Sequence, residues 1–239
     1  KLNLSKKDFV IEIASNDGYL LQYFKKIGIN CLGIEPTHKV AEAAKSKGIE
    51  TIERFFGSSL VNELLDKSLF NKNKADLLIA NNVIAHVPDL NDFIIGIREI
   101  IKDDGVASIE FPHLLNLIRF NQFDTIYHEH FSYFSLSTIQ DIFKKHSLYI
   151  FDLETLSTHG GSLRIWVSKK EPTKESNAKK MILNLEHKFG LKTLMAFKSF
   201  QNKAFKVKYE LLNYLIKSKE QGKNILGFGA AAKGNTLLN

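Results

Sequence analysis

The run VIEIASNDGYLL at residues 10–21 joins β-forming residues (Val10, Ile11, Ile13 and Ala14 around Glu12) directly to Ser15-Asn16-Asp17-Gly18. An apolar, helix-compatible run follows over 19–27. This is the pattern of a buried parallel strand, a tight turn and a helix whose N-terminus points back over the strand end. In an open α/β sheet such a turn binds small molecules, because free backbone N–H groups and the strand's C-terminal edge meet there. Two acidic residues frame it. Glu12 sits inside the strand, and Glu35 ends the next one, CLGIEP at 31–36. A carboxylate at that second position, about 20 residues on, accepts hydrogen bonds from the two hydroxyls of a ribose.

The glycines narrow the ligand. A dinucleotide fingerprint needs G-x-G-x-x-G so that the backbone can close on a pyrophosphate. Here only Gly18 is glycine, and Ala14 and Asn16 hold the other candidate places. A buried strand carboxylate such as Glu12 also repels a pyrophosphate, yet it suits a ligand with an amino group and positive charge. S-adenosylmethionine (SAM) has an α-ammonium, a sulfonium and no phosphate, so it fits better than NAD. A generic doubly wound domain with a polar first turn is the other reading these residues allow.

Composition bounds the class. The 239 residues can hold one sizeable domain plus a smaller piece. No apolar run approaches the roughly 20 residues of a membrane span, so no membrane partner is expected. The single cysteine, Cys31, lies in an apolar strand pattern. It can neither form an internal disulfide nor build a zinc site alone, which points to a reducing cytoplasm. Much of the excess behind the net charge of +7 lies between 169 and 223, a lysine-rich helical region. That is the look of solvated helix faces and leaves no nucleic-acid partner expected, while a modest attraction for anionic small substrates stays compatible. The chain begins at Lys1 and stops inside a motif, so a piece of a longer protein is expected.

Further along, strands are expected at 31–35, 50–53, 75–80 and 106–111, alternating with helices at 40–47, 61–69 and 93–101, the last closed by Asp103-Asp104-Gly105. Strict alternation means a parallel sheet with helices on both faces. The crevice then lies at the strand C-terminal ends, where residues 15–18, Glu35, 81–86 and 111–113 fall. The pattern changes after that. Residues 115–124 read as an irregular or helical excursion, 137–146 as a helix capped by Ser135 or Ser137, and 148–156 with 162–167 as an antiparallel pair. From 174 the chain reads as helix, broken at Gly190; its second part, 191–220, carries an approximate apolar stripe that suggests a partner surface. Residues 224–239 read again as strand, glycine turn and helix.

Three clusters can carry chemistry: 82–89 just past the fourth strand, Tyr127-His128-Glu129-His130, and Thr158-His159-Gly160-Gly161-Ser162 with Arg164. A histidine base has an unperturbed pKa of about 6.5, and a neighbouring carboxylate can raise its basicity and hold its tautomer. The Tyr-His-Glu-His run can therefore be a base with its orienters, a set of satisfied polar residues in an aromatic-rich loop, or part of a metal site. The i, i+2 histidines suit a metal only in an extended segment, and no HExxH spacing supports one. A nucleophilic triad is excluded by the buried cysteine and the absence of a GxSxG elbow. Gly160-Gly161 between strands is ordinary hairpin chemistry, although Arg164 can reach an anionic substrate.

Several blocks together resemble the nucleotide-sugar C-methyltransferases of branched deoxysugar biosynthesis. They are EIASNDG at 12–18, GIEP at 33–36, NNVIAHVPDLNDF at 81–93, EFPHL at 110–114, FDTIYHEHFSYFSL at 123–136, THGGSLR at 158–164 and GFGAAAKGNTLLN at 227–239. The similarity spans nearly the whole chain, and the YHEH and THGGS blocks are its most specific parts. These enzymes add a methyl group to carbon 3 of a dTDP-4-keto-hexose. The resemblance implies an α/β fold, a Rossmann-like class I SAM-dependent methyltransferase sheet over 1–170, a helical linker over 171–222 and the opening of a C-terminal α/β domain over 223–239. It places zinc only in an N-terminal module that this chain does not contain, in line with the single Cys31, and leaves no metal site here.

The resemblance also assigns roles. His130 matches the base that takes the carbon 3 proton, with Glu129 and Tyr127 assisting or orienting it, and His86 matches a donor near the keto oxygen. His128 reads as structural. The implied cofactor residues are Glu12, Ala14, Ser15, Asn16, Asp17, Gly18, Glu35, Pro36, Asn81 and Asn82, with S-adenosylhomocysteine as product. On the nucleotide-sugar side stand Glu110, His113, His159, Gly160, Ser162, Arg164, Lys233 and Asn235. One departure is Ala14, where the family usually has glycine; its methyl either crowds the methionine end of SAM or is absorbed by a backbone shift. An O- or N-methyltransferase needs no strong carbon base and is the alternative among enzymes. A non-catalytic SAM or nucleotide-sugar binding module is the alternative outside them.

Overall fold

The computed structural model describes residues 2–66, 74–229 and 232–238. Its strands are β1 (Phe9–Ile13), β2 (Asn30–Ile34), β3 (Thr51–Ile52), β4 (Ala75–Asn81), β5 (Ile101–Pro112), β6 (Tyr149–Leu156) and β7 (Ser162–Ser168). They form one sheet in the order β3-β2-β1-β4-β5-β7-β6. β1 to β5 are parallel, and β7 runs antiparallel to both β5 and β6. This is the Rossmann-like sheet with a reversed final pair that the sequence led us to expect. The order reverses between β1 and β4, which is where an open α/β sheet leaves its crevice.

The helices are α1 (Leu21–Lys26), α2 (His38–Ser46), α3 (Ser58–Asp66), α4 (Leu90–Ile100), α5 (Leu114–Arg119), α6 (Leu136–Lys145), α7 (Asn177–Phe189), α8 (Phe200–Glu220) and α9 (Ala232–Leu238). Strand alternation distributes them. Ile11 and Ile13 pack into the large core with Leu60, Val61, Phe93 and Ile94 of α3 and α4. Val10 packs on the other face with Leu21 of α1 and Ala44 of α2. Glu12 shares the face of Val10 and so lies under α1, in an apolar layer.

Four expectations need correction. Helix α4 stops at Ile100 and β5 begins at once, because Ile101 pairs with Ala75 and the next pair is Leu77 with Val106. Asp103-Asp104-Gly105 is therefore a bulge inside β5 and not a helix terminus. The second long helix starts at Phe200, after a 3₁₀ turn at Leu194–Ala196. Residues 224–229 form no strand: Leu226 and Phe228 are exposed, and no neighbouring strand among the described residues offers them a ladder. The helix expected at 61–69 begins earlier, at Ser58, and residues 67–69 lie outside the described residues.

Two finer expectations hold. Ser135 caps α6 by accepting the Thr138 N–H, and Gly190 ends α7 in the left-handed region at φ 80°. Helix α8 leaves Phe205, Tyr209 and Leu212 exposed. Among the described residues no helix is long and apolar enough to cross a membrane.

Candidate active site

The first turn is strained and under-satisfied. Ala14 and Asn16 both adopt left-handed backbone, at φ 52° and 49°, which L-residues with a side chain disfavour. The turn closes through Gly18 N–H donating to the Ser15 carbonyl. Four buried side-chain oxygens at these strand ends have no partner: Glu12 Oε2, Ser15 Oγ, Asn81 Oδ1 and Asn82 Oδ1. Buried polar groups in folded proteins are nearly always paired, so such a concentration marks a place that a polar ligand completes. Ser15 is fully buried, and Gly33 on β2 leaves room for it, since a Cβ there lies 2.3 Å from its hydroxyl. Burial alone pushes the Glu12 carboxyl up to about 8, so without a cationic neighbour it is largely the neutral acid at pH 7.

Glu35, also buried, accepts the Asn16 N–H at 3.2 Å and the Thr37 N–H at 2.9 Å. It thus holds the turn's shape and keeps lone pairs to spare. Asp17 is ion-paired to Lys47 at the exposed rim. On the α3/α4 side of the sheet a pocket of about 440 Å³ opens between Ala14, Pro36, Phe55, Phe56, Val83 and His86. Glu12 lies on the opposite face. A ligand using both therefore passes over the end of β1 at Ala14. The sequence reading missed Phe55 and Phe56; an aromatic pair directly after a strand whose C-terminal end borders the crevice was the available signal.

The second cluster sits on the excursion between β5 and α6. His130 Nδ1 lies 2.7 Å from the Thr125 carbonyl, which can only accept, so Nδ1 carries the proton. Its Nε2 is then an acceptor and takes the Tyr127 hydroxyl at 3.2 Å. The His86 and His130 rings meet edge to face at 4.7 Å, and Tyr127 lies against His130 at 4.3 Å. The segment is fastened to the loop after β4 by Phe131 N–H donating to the Ala85 carbonyl at 2.8 Å. Burial lowers the His86 pKa, and neighbouring His130 adds to the effect against a weaker opposing pull from Glu129. Burial raises the Tyr127 phenol, keeping it protonated.

Not every expected residue joins them. The Glu129 carboxylate faces outward toward His128 at 3.9 Å and does not touch the His130 ring; the Thr125 carbonyl, unforeseen in the sequence, does the orienting. Arg164 donates to Glu110 at 2.8 Å and lies 3.7 Å from Glu154, so its charge is already matched within the sheet. Glu110 also accepts from Thr158 at 2.9 Å and from the Asn82 amide at 3.4 Å. The Ser162 hydroxyl is buried and donates to the Thr158 carbonyl. His159 is exposed at φ 52°, beside Gly160, whose carbonyl accepts from Gln122 at 2.8 Å. His113 is only 2% exposed and bonded to Glu186, so it does not face the crevice. Lys233 and Asn235 lie on α9, which packs near Phe123–Thr125 and donates from Thr236 to the Ile126 carbonyl at 3.3 Å.

The described residues also bear on metal binding. The His and carboxylate group close enough to share an ion is His38, Glu42 and Glu53, exposed beside β3. His86, His128, Glu129 and His130 form no such group.

Comparison with known proteins bears on the fold and the family. A family model described as a methyltransferase domain matches residues 2–152, and one described as a C-methyltransferase C-terminal domain matches residues 157–239. The C-methyltransferase NovU of Streptomyces niveus is 30% identical over 239 residues, which is 100% of this chain and 56% of that protein. The chain thus spans about half the length of that relative. Among solved structures, a SAM-dependent methyltransferase of Thermotoga maritima has TM-score 0.51 at 17% identity, covering 68% of this chain and 82% of its own. The magnesium protoporphyrin IX methyltransferase of Synechocystis, solved with bound S-adenosylhomocysteine, has TM-score 0.52 at 13% identity, covering 68% of this chain and 74% of its own. At these identities the structures speak for the fold.

Proposed function

The chain belongs to the methyltransferase-domain family, and from that premise we propose that it is the core of a SAM-dependent C-methyltransferase acting on the carbon next to the keto group of a nucleotide-linked 4-keto sugar. When bound, SAM supplies an electrophilic methyl group. The unpartnered oxygens at Glu12, Ser15, Asn81 and Asn82 fit its polar half, and the Phe55–Phe56 pocket fits its flat adenosine half. The Glu12 carboxylate, charged once an ammonium group sits beside it, holds the amino-acid end.

The observation that carries the carbon-methylation reading is the state of His130. Its Nδ1 proton is fixed on the Thr125 carbonyl, so Nε2 is the nitrogen with the lone pair, held on the Tyr127 hydroxyl beside the His86 ring. O- or N-methyl transfer needs no base that breaks a C–H bond, because the oxygen or nitrogen already carries a lone pair; carbon methylation does. Here the substrate's 4-keto group acidifies the neighbouring C–H; Nε2 takes that proton and the electrons move onto the keto oxygen as an enolate. The Tyr127 hydroxyl, bonded to Nε2 in the free site, turns to the substrate as Nε2 is used. His86, kept neutral by burial, donates to the developing enolate oxygen. With SAM held at Glu12, Ser15, Asn81 and Asn82, the enolate carbon would bond to its methyl carbon as the S–CH₃ bond breaks and S-adenosylhomocysteine leaves. Similarity to the C-methyltransferase NovU supports this reading.

The test is His130→Gln in the full-length protein, assayed with a dTDP-4-keto sugar. Turnover falls by about 10²–10⁴, the range of general-base catalysis, while S-adenosylhomocysteine affinity stays within about threefold of the parent. Equal losses in turnover and cofactor affinity refute the assignment.

A further inference from the structure

A carboxylate far away in sequence holds both ends of the segment that carries His130. The excursion leaves the sheet at His113, passes through α5 and a 3₁₀ turn at Phe123–Thr125, and reaches α6 at Leu136. Glu186, on α7 and 3% exposed, accepts from His113 Nε2–H at 2.7 Å. It also accepts the Leu136 N–H at 2.5 Å and the Ser137 N–H at 2.9 Å. Between these two ends the backbone closes on itself, with Leu114 N–H donating to the Phe134 carbonyl at 2.9 Å. One carboxylate therefore fastens the neck of a loop whose interior holds Thr125, Tyr127 and His130.

Resting on the reading of His130 as the base, we infer that Glu186, through His113 and the first turn of α6, is a positioning residue that sets the depth and orientation of His130 in the crevice. Four features carry this. A buried carboxylate is costly to bury without full hydrogen bonding, and here both oxygens are engaged by groups on the loop's two ends. Burial pushes the Glu186 carboxyl up, but hydrogen bonds from His113, Ser137 and Leu136 outweigh it and hold the group below the usual carboxylate range. The α6 N-terminus adds its own preference for a negative charge. Finally, the loop's other hydrogen bonds to the rest of the chain are dispersed along it, from Phe131 and Ser132 to the Ala85 carbonyl, from Gln122 to Gly160, from Asn116 to Gly161 and from Thr236 to the Ile126 carbonyl, whereas Glu186 gathers three at the neck.

The consequence is specific. Weakening the clasp moves the His130 ring against the Thr125 carbonyl, so its tautomer ceases to be single, while the turn at Ala14–Gly18 stays as it is. A misplaced base lowers turnover more than it changes substrate binding.

The experiment compares Glu186→Gln, Glu186→Ala and His113→Gln in the full-length protein by three readouts. Hydrogen exchange should quicken at least tenfold across 114–135 in Glu186→Ala, with little change in β1 and β4. The imidazole ¹⁵N shifts of His130 should pass from one Nδ1–H tautomer to a mixture. Turnover should fall at least 30-fold in Glu186→Ala with KM and S-adenosylhomocysteine affinity within threefold, and Glu186→Gln should recover part of it. If Glu186→Ala does not fold, Glu186→Gln and His113→Gln must still show the first two effects in milder form. An unchanged His130 tautomer, or exchange that quickens everywhere alike, overturns the inference. The exchange and tautomer readouts need no substrate. A clasp that passes them in a protein that transfers no methyl group instead refutes the base assignment.

Discussion

The two halves of the crevice treat their polar groups in opposite ways. At the ends of β1 and β4, oxygens of Glu12, Ser15, Asn81 and Asn82 are buried and unpartnered. At the end of β5 and in the β6–β7 hairpin, Glu110, Thr158, Arg164 and Ser162 are bonded to one another. The first half leaves acceptors that the protein does not pair; the second is paired by the protein itself. Unpaired buried oxygens carry an energetic penalty in the free protein, so they persist where binding removes it. A closed network has no such reason to open and serves as a wall that fixes shape. The THGG hairpin, legible as a special block, is on this view scaffolding for the excursion beside it, through the Gln122 contact to Gly160 and the Asn116 contact to Gly161.

This contrast can be broken in both halves. The largest effect is expected at Glu110→Ala, which strips the wall of its hub. Removing one partner of a buried charged pair typically costs 3–5 kcal/mol; because Arg164 is 30% exposed and keeps Glu154, a loss of about 3 kcal/mol in unfolding free energy is expected. Denaturant titration checks this, and an unchanged midpoint contradicts the closed-network description.

Glu12→Gln is expected to act with the opposite sign. In the unfolded chain this carboxyl titrates at about 4.3, whereas in the fold it titrates at about 8. The unfolded state therefore loses its proton first, and Glu12 destabilises the free protein progressively as pH rises from about 4.3 to about 8, with no further change outside that window. The glutamine variant lacks this term and is more stable at pH 8.5 by roughly 2 kcal/mol, after allowance for burying its own amide. Its S-adenosylmethionine affinity falls about tenfold and loses the rise with pH that the parent shows up to about 8. Stability curves and calorimetry at several pH values read both.

The smallest effect is expected at Ala14→Gly. At φ 52° the alanine Cβ is disfavoured, and glycine relieves it at some cost in unfolded-state entropy, leaving a net stabilisation of about 0.5–1 kcal/mol. A thermal shift upward with cofactor affinity retained supports the strain reading; a shift downward contradicts it.

The parallel core was legible because its signals are local. β2 to β5 are apolar runs reaching Glu35, Glu53, Asn81 and Pro112, β1 runs into Ser15, and alternation of strands with helices leaves few topologies. That residues 15–18, Glu35 and 81–86 gather at the strand ends was legible for the same reason. What was not legible depends on contacts between remote parts of the chain. Nothing around Glu186 distinguishes it from other acids on amphipathic helices, and Thr125 acts through its carbonyl, which no side-chain pattern reports. His113 looked like a crevice residue because it follows β5 directly, yet the chain turns there and buries it against α7. The strand expected at 224–229 has the right residues and lacks a neighbour, which no local signal reveals.

The measurement that tests the central claim most directly is hydrogen–deuterium exchange at carbon 3 of a dTDP-4-keto sugar, followed by NMR in D₂O with full-length protein and S-adenosylhomocysteine. The account predicts exchange that is lost in His130→Gln. Methyl transfer to a hydroxyl with no exchange at carbon 3 contradicts it.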